Sequence, residues 1–507
     1  MKYISKINLF PIIPCLFYWF TLAPTVLSGD SAAWCRTVDH FWLLFGNAND
    51  HPLHIIIGKA FSFLPFELAY NINLESAFFG VLTVYFVYKI IRHLSNSLYG
   101  AMSGALSLMV SHAFWLHSVI AEVYTLNTFF LSLLIYLSIK RESDLKNLIL
   151  FLIIFLLGLT NHLILALTLP AFLLFFFLNI SPESRKKIIK LFLILAGILI
   201  IACLFFYFIY HETLIIRIND YLDKSPPILH YLELPDSLRS FFKELGFYFL
   251  YMSYQFPVAG IIIGAFGVYR LFNENPKAAA LLMLIMLLNG LFFIKTTSWN
   301  SYGGTKYTFY IPDYMIFSIF LGYGSAGMFR YLETFKSFFD KSFIHLKKLT
   351  GPGLIAVYIS CTVLFYSFMP LIVNTLNLDL LHARTLAYRD NNSYFLNPDK
   401  RGYYGDRKLG EEILSLSKKN SYILADSTIC EVLYYLQEVE NLRSDVRLKY
   451  IGIRTSVREW ADKAKEESPD TPIYIADNDD SYYDLSDIKD KYLLKSVGPF
   501  YELIPPQ

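Results

Sequence analysis

The sequence predicts a polytopic α-helical membrane protein with a small soluble α/β domain at its C-terminal end. Of its 507 residues, 55% are hydrophobic and only 17% are charged, whereas about a quarter of the residues in a soluble globular protein are charged. Apolar runs of about 18–25 residues recur through the first three quarters of the chain, and each is long enough to cross a bilayer. A net charge of +2 argues against nucleic acid as a partner.

Eleven apolar runs are candidate transmembrane helices, and a shorter run, 53–66, predicts a helix at the membrane interface that ends at Pro65. The candidate spans are 7–27, 67–91, 98–117, 123–140, 147–164, 166–180, 190–210, 246–270, 278–295, 309–329 and 353–374. The first span follows Lys2 and Lys6, as the apolar core of a signal sequence would. No clear small-residue cleavage site follows it, so we expect this span to be retained.

Basic residues are distributed unevenly between the connections of these spans. Up to residue 375, the side that carries the N-terminus has 18 Lys and Arg residues, and the opposite side has eight. Cytoplasmic connections are enriched in Lys and Arg, so the loop after the first span is predicted to lie outside the cytoplasm, in the periplasm or an organelle lumen. An odd number of spans places the C-terminal part of the chain on that same outer side.

From about residue 376 to 507 the composition becomes that of a soluble domain, with 18 basic and 23 acidic residues. The segments SYILAD, VRLKYIGI and PIYIA have strand-like patterns, and CEVLYYLQEVE and SVREWADKAKEE have helix-like patterns. This alternation predicts a small α/β domain after the membrane domain of residues 1–375. No glycine-rich phosphate loop accompanies the strands, so we predict no nucleotide site and no cofactor.

Polar and ionisable side chains accumulate at the outer ends of the predicted spans, where they are costly to keep without a role. They are Asp30, Arg36, His51, His54, Glu122, Asn161, His162, Lys295 and Lys306. We expect them to line a single cavity at the membrane boundary. Each also has a simpler interpretation: Asp30 as a helix cap, Glu122 as an interfacial carboxylate, and His162 as an interhelical hydrogen-bonding residue. Asp39 and Asp50 are interpreted as ordinary solvated residues.

A cavity of this kind suits a substrate that is itself part lipid, such as a polyprenyl-phosphate sugar. Its phosphate is a good leaving group that needs charge stabilisation, and the acceptor hydroxyl needs a base, for which Asp30 is the candidate. Arg36, Lys295, Lys306 and the histidines are candidates for binding the phosphate. The five cysteines show no CxxC or Cys/His ligand spacing, so we predict no metal site.

Several segments together resemble the GT-C membrane glycosyltransferases, and more narrowly the protein O-mannosyltransferase-like family that includes a eukaryotic transmembrane O-mannosyltransferase and bacterial relatives. They are TLAPTV followed after three residues by Asp30-Ser31, the downstream His51-Pro52, NINLESAFFGVLTVYFVYKIIRHL, FWLHSVIAEVYTLNTFF, GLTNHLI and KYTFYIPDYMIFSIFLGYG. The resemblance implies a GT-C fold and the transfer of a sugar, typically mannose, from a polyprenyl-phosphate donor to a hydroxyl of a protein or glycan outside the cytoplasm. It also implies catalytic roles for Asp30 and Glu122, a site role for His162, and a bacterial inner membrane as the location.

Two motifs depart from the family pattern. Members usually read D-S-G-E after the first span and H-P-P-G further on, whereas this chain has Ala33 in place of the glutamate, and Leu53 and His54 after His51-Pro52. The missing carboxylate leaves open an altered donor or acceptor, or a catalytically inactive scaffold. A lipid-sugar transporter or flippase is a further alternative, although its expected inverted repeats are not visible in the sequence.

Overall fold

A computed structural model describes residues 9–43, 50–140, 145–179, 186, 238–295, 306–336, 344–378, 380, 383–452, 456–486, 488 and 490–505. The part before residue 376 is helical. Its helices are α1 (Ile12–Thr21), α2 (Asp30–His40), α3 (Pro52–Phe61), α4 (Leu68–Ser95), α5 (Leu98–Met109), α6 (His112–His117), α7 (Tyr124–Lys140), α8 (Leu145–Asn161), α9 (Leu169–Asn179), α10 (Leu238–Gln255), α11 (Gly260–Glu274), α12 (Pro276–Lys295), α13 (Ile311–Lys336) and α14 (Ile344–Thr375). Two 3₁₀ segments, Leu163–Thr168 and Lys306–Tyr310, precede α9 and α13.

Three of the described helices are long and apolar enough to cross a membrane: Leu68–Ser95, Pro276–Ile294 and Gly351–Thr375. Counting the bent pair α10 and α11 as one span makes four. Six shorter apolar helices among the described residues contain 10 to 17 residues, and the predicted span 190–210 lies outside the described residues. The count of eleven spans therefore stays a prediction.

The predicted first span, 7–27, differs from the structure. The helix ends at Thr21, and Leu22 is already extended, with ψ of 141°. Pro24 accounts for this end, because a proline disfavours helical geometry in the residue before it. Asp30 therefore does not end the first helix. It begins a separate helix, α2.

Two further predicted spans are interrupted. The run 98–117 is divided between α5 and α6, with Ser111 extended at the junction. The run 246–270 is divided between α10 and α11, which meet at 104°. Pro257 lies in this second break, and Val258 has a positive φ of 66°, a conformation that a helix cannot contain. The amide oxygen of Gln255 accepts a hydrogen bond of 2.7 Å from the N–H of Ala113, so the two breaks contact each other.

The interfacial helix predicted at 53–66 is α3. It begins at Pro52, a position where proline costs no hydrogen bond, and it ends at Phe61 rather than at Pro65. It packs on α2, α4 and α8. Elsewhere in the membrane domain, the backbones of α11 and α13 are in contact. A Cβ atom added at Gly267 of α11 would overlap the carbonyl oxygen of Phe320 in α13, so this crossing depends on glycine.

The C-terminal region forms the predicted α/β domain. Its strands are β1 (Tyr422–Ala425), β2 (Arg447–Tyr450), β3 (Ile473–Ile475), β4 (Leu493–Val497) and β5 (Phe500–Ile504), and its helices are α15 (Asn391–Leu396), α16 (Gly405–Leu416), α17 (Ser427–Tyr434) and α18 (Val457–Glu467). The sheet order is β2-β1-β3-β5-β4. Strand β1 pairs in parallel with β2 and β3, and β5 pairs antiparallel with both β3 and β4. Each of the three strands and two helices predicted from the pattern is present.

A buried ion pair ties this domain to the segment that enters it. The Arg384 guanidinium donates from Nη2 to both carboxylate oxygens of Asp426, at 2.7 and 2.8 Å, and from Nη1 to Asp477 at 3.2 Å. The Tyr483 hydroxyl donates to Asp426 at 2.6 Å. Asp426 and Asp477 follow the carboxyl ends of neighbouring parallel strands, β1 and β3. Arg384 thus occupies the position where an open α/β sheet usually offers a crevice.

The two regions also share a hydrophobic core. Val26, Ala32, Cys35 and Val38 of the Asp30 region are buried with side chains of α16, α17 and the sheet. Arg407 of α16 adds hydrogen bonds to Thr25 (3.0 Å), Glu67 (2.8 Å) and Glu440 (2.6 Å). The C-terminal domain therefore packs directly on α2.

Candidate active site

The two loops that carry the predicted catalytic carboxylates are fastened to one helix, α4. The Asn73 side-chain amide donates a hydrogen bond of 3.0 Å to the carbonyl oxygen of Ala23, in the segment that leads to Asp30. One turn later, the Ser76 hydroxyl lies 3.1 Å from both the carbonyl oxygen and the N–H of Glu122, and it can donate to the first and accept from the second. These bonds hold the Asp30 and Glu122 loops side by side at one end of α4.

Asn161, the last residue of α8, attaches a third loop to the same place. Its side-chain amide donates to the carbonyl oxygen of Val123 at 3.1 Å, next to Glu122. Its own carbonyl oxygen accepts a hydrogen bond from Nδ1 of His51. The His51 ring centroid lies 4.8 Å from that of His162. The structure thus brings together five of the residues singled out in the sequence: Asp30, His51, Glu122, Asn161 and His162. We call these five the outer cluster.

Asp30 is the first residue of α2 and follows Gly29, which has a positive φ of 71°. Its side chain is exposed, and among the described residues no hydrogen bond to its carboxylate occurs. The helix N-terminus favours the charged form, but the protein around the carboxylate displaces enough water to raise its pKa. Asp30 is therefore partly desolvated and still accessible to a substrate.

Glu122 differs from Asp30 in its environment. It is half-buried, and its pKa is raised well above the usual glutamate value, first by burial and then by the negative charge of Asp30. Two carboxyl groups close enough to interact do not ionise equally readily. Glu122 therefore holds its proton to higher pH than Asp30, and the pair can present one base and one acid.

The two imidazoles of the outer cluster are held in complementary tautomers. Nδ1 of His51 faces a carbonyl oxygen, which can only accept, so Nδ1 carries the proton and Nε2 is an acceptor. Burial lowers the pKa of His51 to about 4, so the ring is neutral at pH 7. Nδ1 of His162 accepts from the N–H of Ile164 at 3.3 Å. Its Nε2 therefore carries the proton and is a donor.

His54, Lys306 and Lys295 were also predicted to line the site. His54 is fully buried, and its Nδ1 is 2.9 Å from Oε1 of Glu75. Lys306 is also buried, and its ammonium donates to Glu244 at 2.6 Å. Lys295 is the last residue of α12, and its side chain is outside the described residues. Of these residues, His54 is near the outer cluster, because its ring and that of His51 both pack edge-on against Trp34, with centroid distances of 5.6 and 5.1 Å.

Arg36 faces the C-terminal domain. Its Nη1 lies 3.3 Å from a carboxylate oxygen of Glu431, and its Nε lies 3.6 Å from Glu438. Its guanidinium also lies over the ring of Tyr434, 4.5 Å from the centroid. Arg36 thus forms ion pairs with the C-terminal domain across its contact with α2.

No group of three or more His, Cys, Asp or Glu side chains that could hold a metal ion occurs in the part of the chain that the structure describes. Two important residues were missed by the sequence analysis, Asn73 and Ser76. The sequence could have indicated them, because polar side chains one turn apart in an otherwise apolar helix need hydrogen-bond partners. The partners are backbone groups of distant loops, and only the fold identifies them.

Comparison with known proteins places this geometry in context. Residues 48–186 match the family model described as "Protein O-mannosyl-transferase TMEM260 N-terminal domain". This range contains four of the five residues of the outer cluster and begins after Asp30.

Solved structures give a second comparison. ArnT from Cupriavidus metallidurans bound to undecaprenyl phosphate matches with a TM-score of 0.57 and 11% identity, over 98% of each chain. The same protein in the apo state gives 0.56 and 12%, over 100% of each chain. An oligosaccharyltransferase from Archaeoglobus fulgidus gives a TM-score of 0.45 and 12% identity, over 92% of this chain and 68% of that one.

The two comparisons confirm the resemblance found in the sequence. The match to ArnT over the whole length shows the GT-C membrane fold, and the family match covers the segment with the A-E-V-Y and N-H motifs. Residues 48–186 thus resemble the O-mannosyltransferase family, the chain as a whole has the fold of ArnT, and its long apolar helices are those of an integral multi-pass membrane protein.

Proposed function

We propose that this protein is an inverting, metal-independent glycosyltransferase. It moves a mannose-like sugar from a polyprenyl-phosphate donor to a hydroxyl acceptor, most simply a protein Ser or Thr, at the outer face of the membrane. The observation that carries the proposal is the meeting of Asp30 and Glu122, an accessible carboxylate and a more buried carboxyl with a raised pKa, at one end of α4.

Two comparisons support the choice of substrates. The ArnT structure was determined with undecaprenyl phosphate bound, which favours a lipid-phosphate donor for a chain of the same fold. The family model is named for protein O-mannosyl transfer, which favours mannose and a protein hydroxyl. Neither a nucleotide sugar nor a resident cofactor is needed for this reaction.

Asp30 acts as the general base in this proposal. Its carboxylate takes the proton of the acceptor hydroxyl while the hydroxyl oxygen forms a bond to the anomeric carbon of the sugar. The bond between that carbon and the phosphate oxygen breaks, and polyprenyl phosphate leaves with the electron pair. Attack on the face opposite the leaving group inverts the configuration. Because no hydrogen bond ties the Asp30 carboxylate to a described residue, it is free to align with the acceptor.

Glu122 and the two imidazoles act on the donor side. Glu122 in its protonated form donates a hydrogen bond to the phosphate oxygen on which charge develops, and Nε2 of His162 is a second donor. Nε2 of His51 is an acceptor, suited to a sugar hydroxyl. Asn161 holds His51 in position. Of the cations suggested by the sequence, Lys306 and Arg36 already have carboxylate partners.

The length of α4 supports the predicted orientation. Asn73 and Ser76 hold the outer cluster near its beginning, and Ser95 at its end accepts a hydrogen bond from the guanidinium of Arg330. Nineteen residues separate Ser76 from Ser95, which is about 28 Å of helix, close to the thickness of a bilayer core. We therefore propose that the site and the C-terminal domain lie on the periplasmic side of a bacterial inner membrane.

The first test is transfer of label by the purified protein. Incubation with polyprenyl phosphate carrying radiolabelled mannose, and with a synthetic peptide containing Ser and Thr, is expected to yield labelled peptide and free polyprenyl phosphate. GDP-mannose in place of the lipid donor is expected to give no labelled peptide. Absence of transfer from the lipid-linked sugar by folded protein would contradict the proposal and favour a scaffold. Movement of the intact lipid across vesicles without transfer would favour a flippase.

The dependence of transfer on pH is a second test. As pH falls through the raised pKa of Asp30, the base gains a proton and activity is lost, so the acid limb should lie above the ordinary aspartate range. As pH rises through the higher pKa of Glu122, the hydrogen-bond donor is lost, so an alkaline limb should follow. The expected profile of kcat/KM is a bell.

Glu122→Gln separates the two limbs. The glutamine amide donates a hydrogen bond but does not titrate, so the residual activity should keep the acid limb and lose the alkaline limb. An alkaline limb that persists unchanged in this variant would assign it to another group and remove Glu122 from the proposed role.

A further inference from the structure

Helix α17 of the C-terminal domain lies along α2. At the start of α2, the N–H of Gly29 donates a hydrogen bond of 3.3 Å to the carbonyl oxygen of Thr428. Further along, Nη1 of Arg36 lies 3.3 Å from Oε2 of Glu431. Thr428 and Glu431 are one helical turn apart. The side of α2 that begins at Asp30 therefore faces the side of α17 that carries Glu431.

Position 33 lies between these two contacts. Asp30, Ala33 and Arg36 follow one another at intervals of three residues, which places them on successive turns along one side of the helix. The side chain of Ala33 ends at Cβ, so it does not extend from α2 toward α17. Glu431 reaches Arg36, one turn beyond Ala33, from the facing helix, and 19% of its side chain is exposed. A carboxylate is thus present near Ala33, but it comes from another part of the chain.

Glu431 also has hydrogen-bonding capacity to spare. Its Oε2 is buried and forms the ion pair with Arg36, but it accepts no hydrogen bond from the described residues. The pKa of Glu431 is raised by burial, which outweighs the opposite effect of Arg36, and the Asp30 carboxylate raises it further. Asp30 thus affects the pKa of both Glu122 and Glu431, and the contact between Gly29 and Thr428 places the start of α2 one turn from Glu431.

We propose that Glu431 is a substrate-binding residue of the active site, contributed by the C-terminal domain in place of a carboxylate at position 33. This role rests on the proposed function. Asn161, His51 and His162 belong to the membrane domain and are assigned to the donor. Glu431 comes from the C-terminal domain and approaches α2, so we assign it to the acceptor. Its carboxylate accepts a hydrogen bond from an N–H or hydroxyl group beside the attacked hydroxyl, as a Ser- or Thr-containing peptide provides.

The test exchanges the carboxylate between the two helices. In Glu431→Ala, the KM for a synthetic Ser/Thr peptide is expected to rise about tenfold, which corresponds to the loss of one charge-assisted hydrogen bond, and kcat is expected to change less. The double variant Ala33→Glu with Glu431→Ala returns a carboxylate to the space from α2. It is expected to recover a KM within about threefold of the starting protein. Polyprenyl-phosphate mannose serves as the donor throughout.

Glu438→Ala is the matched control, because Glu438 also pairs with Arg36 but is not placed in the site. It is expected to change the peptide KM less than twofold. A Glu431→Ala protein, or the isosteric Glu431→Gln if the first does not fold, that keeps the KM within twofold would overturn the role of Glu431 alone. A double variant no better than the single one would also overturn it. An unaltered protein that transfers no sugar would overturn the proposed function, and this role with it.

Discussion

Asp30→Asn is expected to lower the rate of sugar transfer by about 10²–10⁴-fold, the usual contribution of a general base. Asparagine has the same shape but cannot take the proton of the acceptor hydroxyl. The substitution should leave the protein folded, because the Asp30 carboxylate is exposed and receives no hydrogen bond from the described residues. Initial rates of label transfer, measured together with the thermal unfolding of the same preparations, separate the loss of chemistry from the loss of structure.

Asp39→Asn provides the comparison, since Asp39 lies on the same helix nine residues later and is only partly exposed. Outside its helix, Asp39 accepts a hydrogen bond of 2.8 Å from Lys59 through its backbone carbonyl, so this bond does not involve the carboxylate. Transfer by this variant is expected within about twofold of the starting rate. An Asp30→Asn protein with the same rate as the Asp39→Asn protein would show that Asp30 is not the base.

Gly267→Ala is expected to destabilise the membrane domain by about 3 kcal/mol, at the upper end of the usual cost of overpacking. The new methyl group would overlap the backbone carbonyl of Phe320, and a backbone cannot swing aside as a side chain can. The contact is reciprocal, because a Cβ at Gly324 in α13 would overlap the carbonyl oxygen of Ile263 in α11. The two helices would have to separate, with loss of packing along their length. Thermal unfolding of the detergent-solubilised protein measures the effect.

Gly246→Ala, in α10, is the corresponding control. An added Cβ meets no atom within 4 Å there, so the substitution should be neutral or stabilising by up to about 1 kcal/mol, as expected from helix propensity. Equal unfolding temperatures for the two variants would mean that α11 and α13 do not approach as closely as the structure indicates.

The elements of the C-terminal domain could be predicted because each has a local cause. The strand Tyr422–Ala425 is apolar, and Asp426 directly after it caps the next helix, accepting a hydrogen bond from the N–H of Thr428. The helix Val457–Glu467 alternates apolar and charged residues with a helical period. Patterns of this kind depend on neighbouring residues, so one sequence is enough to read them.

The breaks within the membrane domain could not be placed so easily. Hydropathy averaged over about 19 residues does not reveal the helix breaks at Ser111 and Pro257. The same limit applies to the site. All five residues of the outer cluster were found from their position at span ends, and the family resemblance assigned roles to Asp30, Glu122 and His162. Glu431 lies about 400 residues from Asp30, and no local pattern connects them.

The support of α2 by the C-terminal domain has a consequence for biosynthesis. The N–H of Ser28 donates to Asp406, 378 positions away, and His40 pairs with Glu438, 398 positions away. At about 5–20 residues per second, roughly 20–80 s of translation separate Asp30 from the residues that surround it. A nascent chain can insert its helices during that interval, but the segment around Asp30 stays without its final partners. This segment therefore gains its native packing only after the C-terminal domain has been synthesised as far as Glu438.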